Sequence, residues 1–285
     1  IYLLRKNSVT GAFVVLGTGP DKKPGVYFRD ADPNTNASDS SDLQAVRAPS
    51  SITKSLNLAL DSLWQPSFDL GERGLSCDFF YKPYEAALAH PDISYTDLGY
   101  WSAPFHLEQG NAADSSEIIT YSVPLIYEDG TVFGVAGIEL SVDYLKKALP
   151  SSELSTENEA AYLLAITSKS EMENGSSQLG CTQVVGSGSF LTRLMDQRSI
   201  LALTGKVNHS NFYSLSSSSG QPILGSVQTL KLYNTHTPFE DNQWILIGVT
   251  QKSHLLQFSS RFQNGLIFTA VLSLMIGITS VIFVA

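Results

Sequence analysis

The chain is poor in the residues that metal, redox and nucleic-acid chemistry need. Its 285 residues include two cysteines, Cys77 and Cys181. They fall in what read as different domains, and a disulfide would have to bring their Cβ atoms to about 4 Å, so two buried thiols are the expected state. The five histidines, His90, His106, His209, His236 and His254, never fall at ligand spacing. With no H-E-x-x-H either, a zinc site is not expected. No G-x-S-x-G occurs, so the elbow that presents a nucleophilic serine is missing. The one Gly/Ser-rich run that invites a phosphate, GSGSF at Gly186 to Phe190, lacks the lysine of a phosphate loop and the acidic partner of a dinucleotide fold; it reads as a turn. Lys and Arg number 18 against 27 Asp and Glu, for a net charge of −9. No basic stripe stands beside exposed aromatics, which excludes a nucleic-acid surface. Neither cofactor nor metal is implied.

What is present is ordinary core material and one long uncharged run. The chain is 43% hydrophobic, with 14 Phe and 12 Tyr, and its length suits two modest domains. The run is Asn264 to Ala285, which carries no charge; the last charge before it is Arg261. As a helix rising about 1.5 Å per residue it would span about 33 Å, enough for a hydrocarbon core of about 30 Å. The expectation is a transmembrane helix over residues 264–285, with residues 1–260 on one side of the membrane. Since the first residue is Ile, further sequence is expected beyond both ends. Sequons at Asn36, Asn174 and Asn208 say little without a host.

Local pattern predicts strands over Val9 to Leu16 and Gly25 to Arg29, with the turn GTGPDKK between them. Asp30 to Asp42 reads as a surface loop. Helices are predicted over Pro49 to Leu60 and Phe79 to His90, the second beginning late because of Pro83. Ile118 to Ile126 and Val132 to Leu140 read as a hairpin, with Asp129-Gly130 supplying the positive φ of a tight turn. Ser141 is placed as N-cap of a following helix. The polar stretch Pro150 to Glu159 is the domain boundary. Beyond it, strands are predicted over Tyr162 to Thr167, Thr182 to Val185, Asn211 to Leu215, Ile223 to Tyr233 and Trp244 to Thr250. A helix is predicted over Phe190 to Leu201, and another begins at Ser253 and continues into the membrane.

One stretch carries a family resemblance. YWSAPF from Tyr100, then ITYSVPLIYEDGTVFGVAGIELSVDYLKK, resembles the extracytoplasmic double-Cache sensor domains of bacterial receptors. Their pattern is a W-S-x-P-aromatic strand, a T-x-S-x-P strand, a D-G turn, then G-V-x-G-(I/V)-D-(I/L)-S and a D-Y-L helix. Phe80-Tyr81-Lys82 with Ala86-Ala87 is similar to the family's W-Y-x-x-A helix start. The resemblance implies an α+β fold of two stacked PAS-like modules, each an antiparallel sheet flanked by helices, plus a C-terminal transmembrane helix. The modules would be residues 1–150, membrane-distal and ligand-binding, and 151–252, membrane-proximal, with residues 253–285 as connecting and transmembrane helix. It further implies a small-molecule ligand, a homodimer at the cell membrane with residues 1–260 extracytoplasmic, and a signalling output module outside this sequence. The rival readings are a membrane-anchored extracytoplasmic enzyme, against which the missing catalytic constellation speaks, and a ligand-free dimerisation module.

In relatives that bind amino acids, an Arg two residues before W-Y clamps the carboxylate and an Asp in the G-x-D strand takes the ammonium. Here Asp78 stands at the Arg position and Glu139 at the Asp position. The acid is kept and the clamp carries the opposite charge, so a cationic amine or amino-acid-like ligand is expected near Asp78, Phe80, Tyr81, Trp101, Tyr121 and Glu139. Asp78 equally suits a helix N-cap. Glu139 equally suits an internal ion pair, and Trp101 and Tyr121 equally suit a core. Tyr27 and Arg29 are rim candidates, and Arg29 turned inward would restore a carboxylate clamp.

Overall fold

The computed structural model describes residues 4, 9–33, 42–71, 73–106, 117–154, 160–168, 178–188, 201–206, 212–215, 223–252, 267, 269 and 273. They fall into two compact units. The first comprises residues 1–149, 166–173 and 229–244; the second comprises residues 150–165, 174–228 and 245–285.

The strands of the first unit are β1 (Gly11–Leu16), β2 (Lys22–Lys23), β3 (Gly25–Asp30), β4 (Leu43–Arg47), β5 (Ala59–Gln65), β6 (Phe68–Asp69), β7 (Tyr100–Trp101), β8 (Phe105–His106), β9 (Glu117–Ile126) and β10 (Val132–Ser141). Its helices are α1 (Ser50–Leu56), α2 (Asp78–Ala89) and α3 (Val142–Ala148). Eight strands make one sheet in the order β5-β4-β3-β1-β10-β9-β7, with β8 also on β9; β2 and β6 form a separate two-stranded ladder.

The β9–β10 hairpin forms as the alternation and turn residues require. Its strands are antiparallel, with Ile126 opposite Val132 and Thr120 opposite Glu139. Gly130 sits at φ 86°, where a Cβ would be strained, and the Thr131 amide donates to Asp129 Oδ1 at 2.9 Å. The Ser141 side chain caps α3, accepting from the Tyr144 amide at 3.1 Å, as predicted.

Two predicted helices differ. The helix over Pro49 to Leu60 ends at Leu56, because Asn57 adopts the left-handed conformation at φ 50° and stops it; Ala59–Gln65 then runs as a strand parallel to β4. The second helix starts at Asp78, earlier than Pro83 suggests, and runs through that proline. It buries Phe79, Phe80, Pro83, Ala86 and Ala87, the i, i+3/i+4, i+7 spacing of one helical face.

The sheet is covered on both faces. Phe79 and Phe80 of α2 pack in one core with Phe13, Val15, Tyr27 and Val135 of the sheet, among others. The opposite face carries Phe28, Leu43 and Ala45, packed with Ala12, Val26, Ile138 and Leu140. Alternation along β1, β3 and β10 sends successive residues to these two cores.

The second unit contains most of β11 (Ala160–Ser168), β12 (Gln178–Ser187), β13 (Leu201–Lys206), β14 (Phe212–Leu215), β15 (Ile223–Leu230) and β16 (Asn242–Gln251), which close into a barrel. The fold is therefore mixed α+β with mainly antiparallel strands. The antiparallel sheet expected of this part closes into a ring, and Leu201, expected to end a helix, opens β13. The rest of the helix expected over Phe190 to Leu201 lies outside the described residues. Most of 253–285 lies outside them too; Ile267, Thr269 and Ser273 are helical. Among the described residues no helix is long and apolar enough to cross a membrane. Cys77 and Cys181 are buried thiols.

Candidate functional site

The site is built on a column of three residues across three strands. Glu139 on β10 lies opposite Gly11 on β1, and Gly11 lies opposite Arg29 on β3. Because Gly11 has no side chain, Arg29 reaches over β1 to Glu139. Its Nε donates to Glu139 Oε1 at 3.3 Å and its Nη2 to Oε2 at 3.2 Å. Nη2 also donates to the Tyr27 hydroxyl at 2.9 Å. Thr10 Oγ1 donates to Glu139 Oε1 at 3.0 Å. Asp61 Oδ2 stands 3.8 Å from Arg29 Nη1.

Glu139 is 1% exposed. Burial pushes its carboxyl up to about 8, while the Thr10 hydrogen bond draws it down. The fork from Arg29 on both oxygens works against burial and favours the charged form. Arg29 is itself lowered from its usual value by burial, with Asp61 raising it. In the pair the Arg29 charge thus opposes the burial that favours the neutral acid.

A Cβ on Gly11 would stand 3.0 Å from Tyr27 Cε2 and 3.1 Å from Glu139 Cβ. Gly11→Val is therefore expected to push these side chains apart and cost about 1–3 kcal/mol, the range for overpacking a core. Denaturant unfolding checks it; a loss below a few tenths of a kcal/mol would show that the column is not tightly fitted.

Beside the column lies a cavity of about 10 Å³, bounded by Phe13, Tyr27, Phe68, Phe79, Phe105, Ile118, Thr120 and Glu139. That is room for the centre of roughly one water-sized sphere. Its wall is apolar. Rings meet edge to face at Phe13–Phe79 (5.0 Å) and Phe13–Tyr27 (6.1 Å) and stack at Phe79–Phe105 (6.0 Å) and Tyr27–Phe68 (6.4 Å).

Of the residues singled out in the sequence, the structure brings together Tyr27, Arg29 and Glu139. The other five stand elsewhere. Asp78 is the first residue of α2, whose N-cap position is held by Cys77; burial raises its carboxyl and the Lys82 ammonium lowers it. Phe80 turns to Tyr84, stacked at 5.2 Å, and to Lys23, whose Nζ lies 5.4 Å from the ring centre. The Tyr81 hydroxyl donates to the Leu70 carbonyl at 2.8 Å, and Arg73 covers its ring. Trp101 and Tyr121 lie tilted against each other at 5.0 Å. The Trp101 amide donates to the Tyr233 hydroxyl at 2.9 Å, and burial raises Tyr121 and Tyr233.

Tyr121 and Glu139 do not share a sheet face. Glu139 pairs with Thr120 and Ile138 with Tyr121, so Thr120 stands beside the cavity and Tyr121 faces away. The residues that sequence reasoning missed are the rings, Phe13, Phe68, Phe79 and Phe105. A signal existed for two of them: Phe79 adjoins the helix motif, and Phe105 is the aromatic of the W-S-x-P-aromatic strand.

No protein-family model and no curated protein matches the chain. Among solved structures it is similar to the periplasmic sensory domain of the Campylobacter jejuni chemoreceptor Tlp1, at 11% identity over 87% of this chain and 74% of that one, with a TM-score of 0.43. It is similar to the ligand-binding domain of the Pseudomonas aeruginosa PAO1 amino acid chemoreceptor PctB in complex with L-Arg, at 13% identity over 90% and 72%, TM-score 0.42. It is also similar to the ligand-binding domain of the Pseudomonas fluorescens chemoreceptor CtaA in complex with L-leucine, at 14% identity over 86% and 72%, TM-score 0.41. All three are sensory or ligand-binding domains of bacterial receptors, the class that the Tyr100 to Leu149 segment resembles.

Proposed function

We propose that this chain is the extracytoplasmic sensing region of a transmembrane signalling receptor, without catalysis of its own. Its site is the ring-lined cavity between α2 and the sheet in the first unit. Residues 1–150 form the distal, ligand-binding module, residues 151–252 the proximal module, and residues 264–285 the membrane tether of a homodimer. Sequence motif and fold class support the sensor reading. The observation that carries the site is Glu139, a carboxyl group buried in a cavity wall and bridged on both oxygens by Arg29. A structural ion pair explains Glu139 alone, but not its place against a cavity walled by five aromatic rings.

The ligand is a small molecule with a cationic nitrogen, an amine or an amino-acid-like compound. Calorimetry of the chain against amines, amino acids and dicarboxylates tests this. Glu139→Gln is expected to weaken binding of the cationic ligand by about 1–3 kcal/mol, the scale of one charge–charge interaction at several ångströms near a protein surface. Tight binding of a dicarboxylate, unchanged in Glu139→Gln, would refute the cationic ligand.

A further inference from the structure

We infer that the connection from β15 to β16 is a clasp on the edge of the first unit's sheet, and that it ties the far end of α2 to β16. This goes beyond the sensor reading and does not depend on what the cavity binds.

A sheet edge leaves backbone donors unmatched. β7, two residues long, stands at the end of the sheet order. The Ser102 amide donates inward to the Thr120 carbonyl at 2.9 Å. The Trp101 amide turns the other way, and the Tyr233 hydroxyl accepts from it at 2.9 Å. The same connection grips β7 on both faces. On the α2 side Phe239 packs on Tyr100 at 4.9 Å. On the opposite side Trp244, at the start of β16, meets Trp101 edge to face at 6.0 Å. Beside them Asn234 Nδ2 donates to Asp97 Oδ1 at 2.8 Å. Trp244 Nε1 is buried and finds no hydrogen-bond partner among the described residues. Leaving an indole N–H unmatched is unfavourable, so packing rather than hydrogen bonding holds this ring in place.

The clasp is itself folded. Thr237 Oγ1 donates to the Asn234 carbonyl at 2.8 Å, the Glu240 amide to the Thr237 carbonyl at 3.2 Å and the Asn242 amide to the Phe239 carbonyl at 3.0 Å. Compact loops of this kind keep their shape through their own contacts.

At one end the clasp meets α2. Phe239 shares a core with Ala86, Ala87, Leu98 and Val132, and the two alanines let the ring approach the helix. Ala86 lies seven residues after Phe79, two turns along the same face and about 10 Å away. One end of α2 therefore walls the cavity and the other meets the clasp. At its own end the clasp is continuous with β16, whose residues 242–244 belong to the first unit and residues 245–251 to the second. Helix, loop and strand make one contiguous run of packed and covalent links, the kind that carries coupling.

Hydrogen exchange of the whole chain without ligand, resolved by residue, tests this in Tyr233→Phe, which removes one hydroxyl. The Trp101 amide is expected to exchange about tenfold faster or more, the effect of one lost hydrogen bond. The amides of Ala86–Ala89 and Asn242–Trp244 are expected to exchange about threefold faster, with β11 and β12 within about twofold of the parent. No change at Trp101 would overturn the clasp. Acceleration at Trp101 alone would overturn the inference too, since the hydroxyl would then cap an amide and couple nothing. Acceleration spread evenly through β11 and β12 would also overturn it, because the loop would then act on global stability alone. Phe79→Leu, at the opposite end of α2, is expected to speed the Asn242–Trp244 amides as well, and unchanged amides there would overturn the link through the helix. Should that variant fail to fold, Tyr233→Phe decides alone.

Discussion

Replacing Arg29 with methionine is expected to destabilise the chain by about 3–5 kcal/mol at pH 8 and far less at pH 5. The magnitude is that of a buried carboxylate stripped of its partner. Methionine keeps apolar bulk over Tyr27, whose ring the guanidinium carbon approaches at 5.6 Å, so lost packing adds little. The pH dependence follows from Glu139. With Arg29 in place, burial already pushes its carboxyl up to about 8 against an ordinary value of 4.5, while Thr10 draws it down, and loss of the guanidinium favours the protonated form further. Without the guanidinium, the folded state would hold a proton that the unfolded state releases. A raised acid of this kind contributes stability that is complete below about 4.5 and is lost as pH rises through about 8. The variant should therefore lose stability steadily from pH 5 to pH 8, at up to about 1.4 kcal/mol per unit. The parent chain should be flatter there, because the Arg29 fork favours the charged form of Glu139. Urea unfolding of both proteins at several pH values checks this. Parallel curves would mean that Arg29 does not set the charge of Glu139.

The second large effect is expected at Phe80. Truncation to alanine should cost about 3–5 kcal/mol, the range for deleting a fully buried aromatic ring. Phe80 is 1% exposed and packs between Tyr84 and Tyr81. It is not part of the cavity wall, so ligand affinity measured under conditions where the variant remains folded should be unchanged. Its neighbour Phe79 is 5% exposed and does line the cavity. A loss below about 1 kcal/mol at Phe80 would show that α2 is not anchored through this ring.

The contrast between these neighbours shows what the sequence could and could not reveal. Local features were legible. The β9–β10 hairpin follows from period-two alternation and from Asp129-Gly130, and the α3 cap follows from Ser141. The α2 helix was legible as a helix, but not in rotation. One residue turns a helix by about 100°, so choosing Phe80 over Phe79 moves the expected site to the wrong side. The same holds with period two on β9, where Thr120 and Tyr121 face opposite ways.

The Arg29–Glu139 pair is harder still. The two residues are 110 positions apart, and their meeting depends on a three-strand register with glycine in the middle. Nothing local marks Gly11 as the gap through which an arginine reaches. Asp78, read by motif alignment as an acidic partner for Glu139, begins α2 away from the column. The balance of charge at the site is set by Arg29 and Asp61, neither of which the motif contains. The closed barrel was illegible for a similar reason. β12, β13 and β14 pair in sequence, yet ring closure between β11 and β16 joins residues some 80 positions apart.

The most direct test of the account is amide hydrogen exchange of the whole chain, with and without whichever of the amines, amino acids or dicarboxylates binds it. Binding between α2 and the sheet predicts slowed exchange at Phe68–Leu70, at the first turns of α2 and at β8, with β11 to β14 unchanged. Slowing confined to the barrel strands, with the amides around Phe68 and Phe79 unaffected, would place the ligand elsewhere and contradict the assignment of the site.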